Sequence, residues 1–387
     1  LQSTPMKKQK INITLDPDRR SGSNSNKTFE LPAMTLAAGT VLNMSGNNTH
    51  GVRLTGALAL SGDATLQGVS LANQDCQLTL GGGISGGVSD ELTINGGTSP
   101  LNLTINASST YGGGTTMTGG NVTLAAANAL GTGTTTLSGG TLIVNSAGAL
   151  NGTISLTGGT LRSNGSDLLA SNPISLQGGT LDIRNNTTST LQTGTLTVSG
   201  TTTLNVGNNG AGSSQVITIP SLGVSGDTTL TLTNANSFVP LFTSISLSGN
   251  LTLSNAITTR IQSISEDASP RSLIKTGTGT LELEGASTHS GGTEVLAGIL
   301  LVEHSDALGS GALTLGATSG TAAATAQFSA GLTIPNNLIA GSGGTGLLTI
   351  DAPSGGVTWN GNVDLQRNAT FDNGSSTVSA TIGGVIS

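Results

Sequence analysis

The chain has 387 residues, of which 59 are Gly, 9% are charged and only 2% are aromatic. A single cysteine, Cys76, excludes an intrachain disulfide scaffold, and no run of 18 apolar residues is present to cross a membrane as a helix. The net charge of −7 is uneven: residues 1–27 sum to +4 and the other 360 to −11, and an acidic body argues against nucleic acid as a partner.

Residues 1–30 are polar and irregular and read as a basic leader or end cap, with one strand at Ile11–Leu15. Their positive charge would suit an acidic neighbour or simple solvation. Nothing in this segment has the apolar core of a signal peptide, so the sequence leaves open an upstream segment ahead of Leu1. From residue 31 apolar and polar residues alternate, and LTGALALSGDATL at 54–66 already shows short strands broken by Gly. Alternation with a period of two is the mark of a half-buried strand. A hydrophobic content of 35% in that regular pattern outweighs the disorder that so much Gly would otherwise suggest.

The clearest phrase recurs in the middle of the chain: LSGGTL at 137–142, LTGGTL at 156–161 and LQGGTL at 176–181. Self-similarity at 19 and 20 residues predicts a solenoid in which each repeat stacks on the last. Residues 195–255 keep the rhythm without the double glycine. The stretch 256–272, with Glu266, Asp267, Pro270 and Arg271, reads as a loop excursion, and the pattern resumes from 273 to 387. No segment has a convincing helical period; the Ala-rich piece 321–330 comes nearest. The expectation is an all-β parallel β-helix, a β-solenoid of about 20 residues per coil, which would give residues 31–387 roughly eighteen coils.

At 275–302 the chain reads KTGTGTLELEGASTHSGGTEVLAGILLV, followed by DALGSG at 306–311. A second copy, LNLTINASSTYGGGTTMTGGNVTL at 101–124 followed by NALGTG at 128–133, aligns with it at a constant offset of 178 residues. Ser109, Thr110, Gly113, Gly114, Thr115, Gly120, Ala129, Leu130, Gly131 and Gly133 each meet an identical residue. This pattern resembles the autotransporter-associated β-strand repeat of bacterial surface proteins. The resemblance implies a right-handed parallel β-helix, extracellular or displayed on the cell surface. It brings no catalytic residues, because an architecture hosts many activities.

The densest ionisable cluster is Glu282, Glu284, His289, Glu294, Glu303, His304 and Asp306. Glu282 and Glu284 flank Leu283 and share the outer face; one coil later Glu303 would stack near them. Glu282, Glu284 and Glu303 are therefore the candidate metal ligands, or the acid–base pair of a glycosidase. A solvated face is the simpler reading of the same residues. Asp182 and Arg184 lie on one strand face and would pair with each other. The Gly-rich phrases lack the Gly-Lys-Ser/Thr ending of a phosphate loop, and no cofactor is implied.

With no catalytic constellation, the sequence points to a non-enzymatic extracellular surface protein: a rod-like, passenger-type domain for adhesion or biofilm matrix. Its partners would be a host or neighbouring-cell surface, or a polysaccharide. A second reading is a fibre subunit that self-associates end to end or side by side. A third is a polysaccharide-cleaving β-helix enzyme.

Overall fold

A computed structural model describes residues 12–17, 27–45, 50–69, 76–169, 172–191, 193–210, 212–352, 356–372 and 381–387. Among them the regular structure is all strand, and no helix is long and apolar enough to cross a membrane. The strands stack in parallel as a β-solenoid of about 14 turns with roughly 23 residues per turn. This corrects the expected 20 residues per coil and eighteen coils. The short period is local. Thr157 Oγ1 donates to the Leu137 carbonyl 20 residues back, whereas Thr233 Oγ1 donates to Asn205 Oδ1 across 28. The strands stay in register while the connections between them vary in length.

Two compact units divide the chain: Leu1–Ile183 with Gln192–Gly194, and Arg184–Leu191 with Thr195–Ser387. In the first unit, strand Asn12–Leu15 pairs with Val41–Met44; of the strand expected at Ile11–Leu15, Ile11 lies outside the described residues. Residues 1–11 and 18–26 of the expected leader lie outside the described residues, and Thr28–Leu31 is a strand paired with Gly51–Leu54.

The core of this unit is made of columns of aliphatic side chains. Leu66, Ile94, Met117, Leu137, Leu156 and Leu176 stack in one column, and Leu78, Leu103, Val122, Leu142, Leu161 and Leu181 in another. All twelve are at most 1% exposed. Full burial of each such side chain contributes about 1.5–3 kcal/mol. The polar residue between two inward ones points out, so alternation in sequence becomes two faces in space. The Gly-Gly phrase turns the chain between columns. Gly159 has φ +68°, and a Cβ there would lie 2.7 Å from the Gly140 carbonyl of the coil beneath. Only glycine meets both conditions cheaply.

Asp182 is 2% exposed, and Arg162 Nε donates to its Oδ2 at 2.7 Å. The two residues are register partners on adjacent coils. This charge partner, which the sequence reading missed, comes from 20 residues back in the chain.

In the second unit, 256–272 is not simply a loop. It contributes strands Thr259–Ile261 and Ile264–Glu266, which pair with Val239–Phe242 and Ile245–Ser248. The Ala-rich piece forms strand Ala324–Phe328. A column of this unit runs Leu253, Lys275, Val295, Leu315, Ala340 and Leu365, so a lysine replaces an aliphatic residue in the core. Phe328 and Trp359 meet edge to face with ring centroids 5.2 Å apart.

Candidate functional site

Three consecutive strands build the acidic cluster. In Thr259–Ile261 and Thr280–Leu283 the residues Thr259, Ile261, Leu281 and Leu283 are buried, which turns Arg260 and Glu282 outward. Register places Arg260 directly beside Glu282. Leu283 pairs with Val302 on the following strand, Gly298–Val302. The next residues, Glu284 and Glu303, then continue the ladder, with Glu284 N–H donating to the Ile261 carbonyl and Glu303 N–H to that of Leu283. Carboxylate oxygens of Glu282, Glu284 and Glu303 consequently lie within 4.8 Å of one another.

Arg260 organises this group. Its Nε donates to Glu284 Oε1 and lies 3.6 Å from Glu282 Oε2. Partial burial pushes the Glu282 carboxyl above its ordinary value, Glu303 and Glu284 add to the rise, and Arg260 opposes it. The chemistry open to such a set is limited. Three carboxylates against one guanidinium could hold a hard divalent cation through oxygen. A carboxyl whose pKa is raised is also what a glycosidase acid requires. Against both, Arg260 already supplies the counter-charge.

The other residues of the sequence cluster go elsewhere. Glu294 lies on strand Thr293–Val295 between Ile274 and Thr314, in a different ladder. His304 Nδ1 accepts from the Asp306 N–H at 3.1 Å in an exposed turn. His289 is fully buried, with Nε2 3.0 Å from Thr293 Oγ1.

Sequence reasoning missed Arg260, because it falls in the stretch read as a loop. It also missed Lys275, which is fully buried. Its Nζ donates to the Gly277 and Ala297 carbonyls at 3.1 and 2.9 Å, and burial pushes its pKa down to about 8. The signal was present in parity: Leu273 and Lys275 occupy the two inward positions of one strand.

A different feature of the first unit faces outward. Thr65, Thr93, Thr116, Thr136, Ser155 and Ser175 follow one another in register across six strands. Two residues along, Thr118, Ser138 and Thr157 donate their hydroxyls to carbonyls of the preceding coil. The result is a hydroxyl-lined face without a charged side chain at these positions.

Residues 273–302 match the passenger-associated-transport-repeat family. That match and the parallel solenoid together fit an autotransporter passenger-like repeat protein. The matched segment contains Lys275, Glu282, Glu284, His289 and Glu294. No curated protein and no solved structure matches the chain.

Proposed function

We propose that this chain is a non-catalytic, extracellular surface protein of the passenger type, serving adhesion or extracellular matrix. The observation that carries the reading is the passenger-associated repeat at 273–302, continuous in register with the solenoid strands around it. The uncharged hydroxyl columns of the first unit support it, since they offer regular hydrogen-bonding groups to a neutral surface without the desolvation cost of charge. The acidic cluster is then a partly exposed surface group whose repulsion Arg260 offsets in part.

The test is adherence of the labelled chain to cells and to immobilised neutral and acidic polysaccharides, run beside an assay for reducing-sugar release. Retention without sugar release is the expected result. Sugar release that disappears in a Glu282→Gln/Glu284→Gln variant would replace this reading with a polysaccharide-cleaving enzyme.

A second reading, a self-associating filament subunit, draws on the opposite charges of residues 1–27 and the remaining chain. Electron microscopy of the native material separates the two: continuous filaments favour the subunit, and discrete particles favour the adhesin.

A further inference from the structure

The two copies of the repeat share a set of equivalent bonds. Ser109 N–H donates to the Asn128 carbonyl, and Ser287 N–H to that of Asp306. Thr132 N–H donates to the Tyr111 carbonyl, and Ser310 N–H to that of His289. Ser109 and Ser287 hydroxyls each accept a backbone N–H, from Ile84 and Ile264. A glycine closes the turn over the ring in both copies: a Cβ on Gly131 or Gly309 would collide with the carbonyl of Tyr111 or His289. Tyr111 and His289 are both fully buried, and their side chains meet equivalent threonines, Thr115 and Thr293, at 2.5 and 3.0 Å. One buried position therefore differs in kind between two matched frames, a phenol in one and an imidazole in the other.

The imidazole has no place for a second proton. Nε2 is occupied by Thr293, and among the described residues no group bonds Nδ1. Nδ1 faces Gly309, where a Cβ would lie only 2.9 Å away. An added Nδ1–H would be a buried donor without an acceptor, and the ring a buried cation.

The charged residues around it come from three sides. The preceding coil carries Glu266, Asp267 and Arg271; the covering turn 306–311 and the residues leading into it carry Glu303, His304 and Asp306; its own following strand carries Glu294. Glu266 is the group whose charge acts on the ring. Its carboxylate is already engaged by the Ser290 N–H and hydroxyl and by the Arg271 N–H, at 2.9, 2.6 and 2.7 Å.

We propose that turn 306–311 is an acid-released latch: protonation of His289 loosens it, while the matching turn 128–133 over Tyr111 stays closed. Burial holds the His289 imidazole below its ordinary value despite the pull of Glu266. With the latch open, the ring regains ordinary basicity and binds the proton first. Opening is therefore favoured as pH falls below about 6.5, by up to about tenfold per pH unit. The effect ends once the closed form also protonates. Tyr111 stays neutral across this range, since burial pushes its phenol above its ordinary value.

Hydrogen exchange on the full chain at pH 7.5 and 5.5, corrected for intrinsic rates, tests the latch. Protection of the Ser287, Gly309 and Ser310 amides should fall at pH 5.5 by up to about tenfold, and that of Ser109 and Thr132 should hold. His289→Tyr, which copies the first repeat, should abolish the difference. Should that variant fail to fold, His289→Gln keeps a group for Thr293 without titrating and carries the same expectation. Tyr111→His should make turn 128–133 acid-sensitive. Equal loss of protection in both wild-type turns, or an acid response that survives in the variant that folds, would overturn the proposal.

Discussion

Lys275 offers a sharp test of how the core tolerates charge. It is fully buried in a column between Leu253 and Val295, with two backbone carbonyls as its hydrogen-bond partners. Burial pushes its pKa from the ordinary 10.5 to about 8. Below pH 8 the ammonium is charged in both folded and unfolded chains, and the folded state bears the full cost of burying it. Above 10.5 both forms are neutral and the cost is gone. Between those values the unfolded chain binds more protons, so stability rises with pH. The difference between the two values corresponds to about 3 kcal/mol at most, spread over that window with a slope of up to about 1.4 kcal/mol per pH unit. Trp359, the single tryptophan, lies in the same unit and is 4% exposed, so its fluorescence reports unfolding there. Urea titrations of wild type and Lys275→Met at pH 7.0, 8.0, 9.0 and 9.5 isolate the lysine by difference. At pH 7 the methionine variant escapes the charge burial but leaves the Gly277 and Ala297 carbonyls without a donor, each worth about 1–3 kcal/mol, so its absolute stability is not diagnostic. The diagnostic result is a wild-type stability that gains on the variant as pH rises. Parallel pH profiles, or a wild type that loses ground, would refute the argument that the core holds an ammonium at neutral pH.

Other outcomes follow from named contacts. Arg162→Ala removes the Arg162 Nε bond to the buried Asp182 carboxylate and should destabilise the first unit by about 1–3 kcal/mol, less than for a fully buried pair because Arg162 is itself partly exposed; adding Asp182→Asn should recover most of it, read by far-ultraviolet circular dichroism. Arg260→Ala leaves three carboxylates within 4.8 Å without their counter-charge. Millimolar calcium should therefore raise the melting temperature of this variant and leave wild type unchanged; an equal rise in both would mean that the cluster binds cations with Arg260 in place. Gly159→Ala meets the Gly140 carbonyl at 2.7 Å as well as an unfavourable φ, whereas Gly148→Ala has φ +65° and no atom within 4 Å of the new Cβ. The second should cost about 1 kcal/mol in thermal or urea unfolding and the first clearly more; equal costs would mean that coil-to-coil approach does not select the Gly-Gly phrase.

The solenoid was readable because its signals are local. Alternation fixes which side chains enter the core, and the Gly-Gly phrase fixes where the chain bends. The coil length was misread because the cleanest repeats are also the shortest. Strands obey register, but the connections do not. A period taken from 137–181 therefore undercounts the residues per turn elsewhere. The same variability hid Arg260. Its outward parity within Thr-Arg-Ile was legible, but its position beside Glu282 depends on the length of the intervening connection. Glu284 and Glu303 could be paired from sequence because the segment between them keeps the short period, 19 residues from one to the other.

Lys275 and His289 expose a different limit, since residue type and position disagree. Parity placed Lys275 inward and its charge argued outward. The carbonyls of Gly277 and Ala297 settle the matter, and Ala297 comes from the neighbouring coil. His289 lies in a connection, where no period assigns a face. Its burial is legible only through the aligned copy: Ser109, Thr110, Gly113 and Gly114 around position 111 recur at offset 178, and the two related turns bury whatever each encloses. In the first frame that is a tyrosine with its hydroxyl satisfied by Thr115. In the second it is an imidazole with one nitrogen unsatisfied. Identity at the shared frame positions gives the fold of the turn, while the proposed response to acid rests on the exchange of Tyr111 for His289. A repeat protein can vary such an enclosed residue from copy to copy without altering its architecture, because each coil contacts only its neighbours.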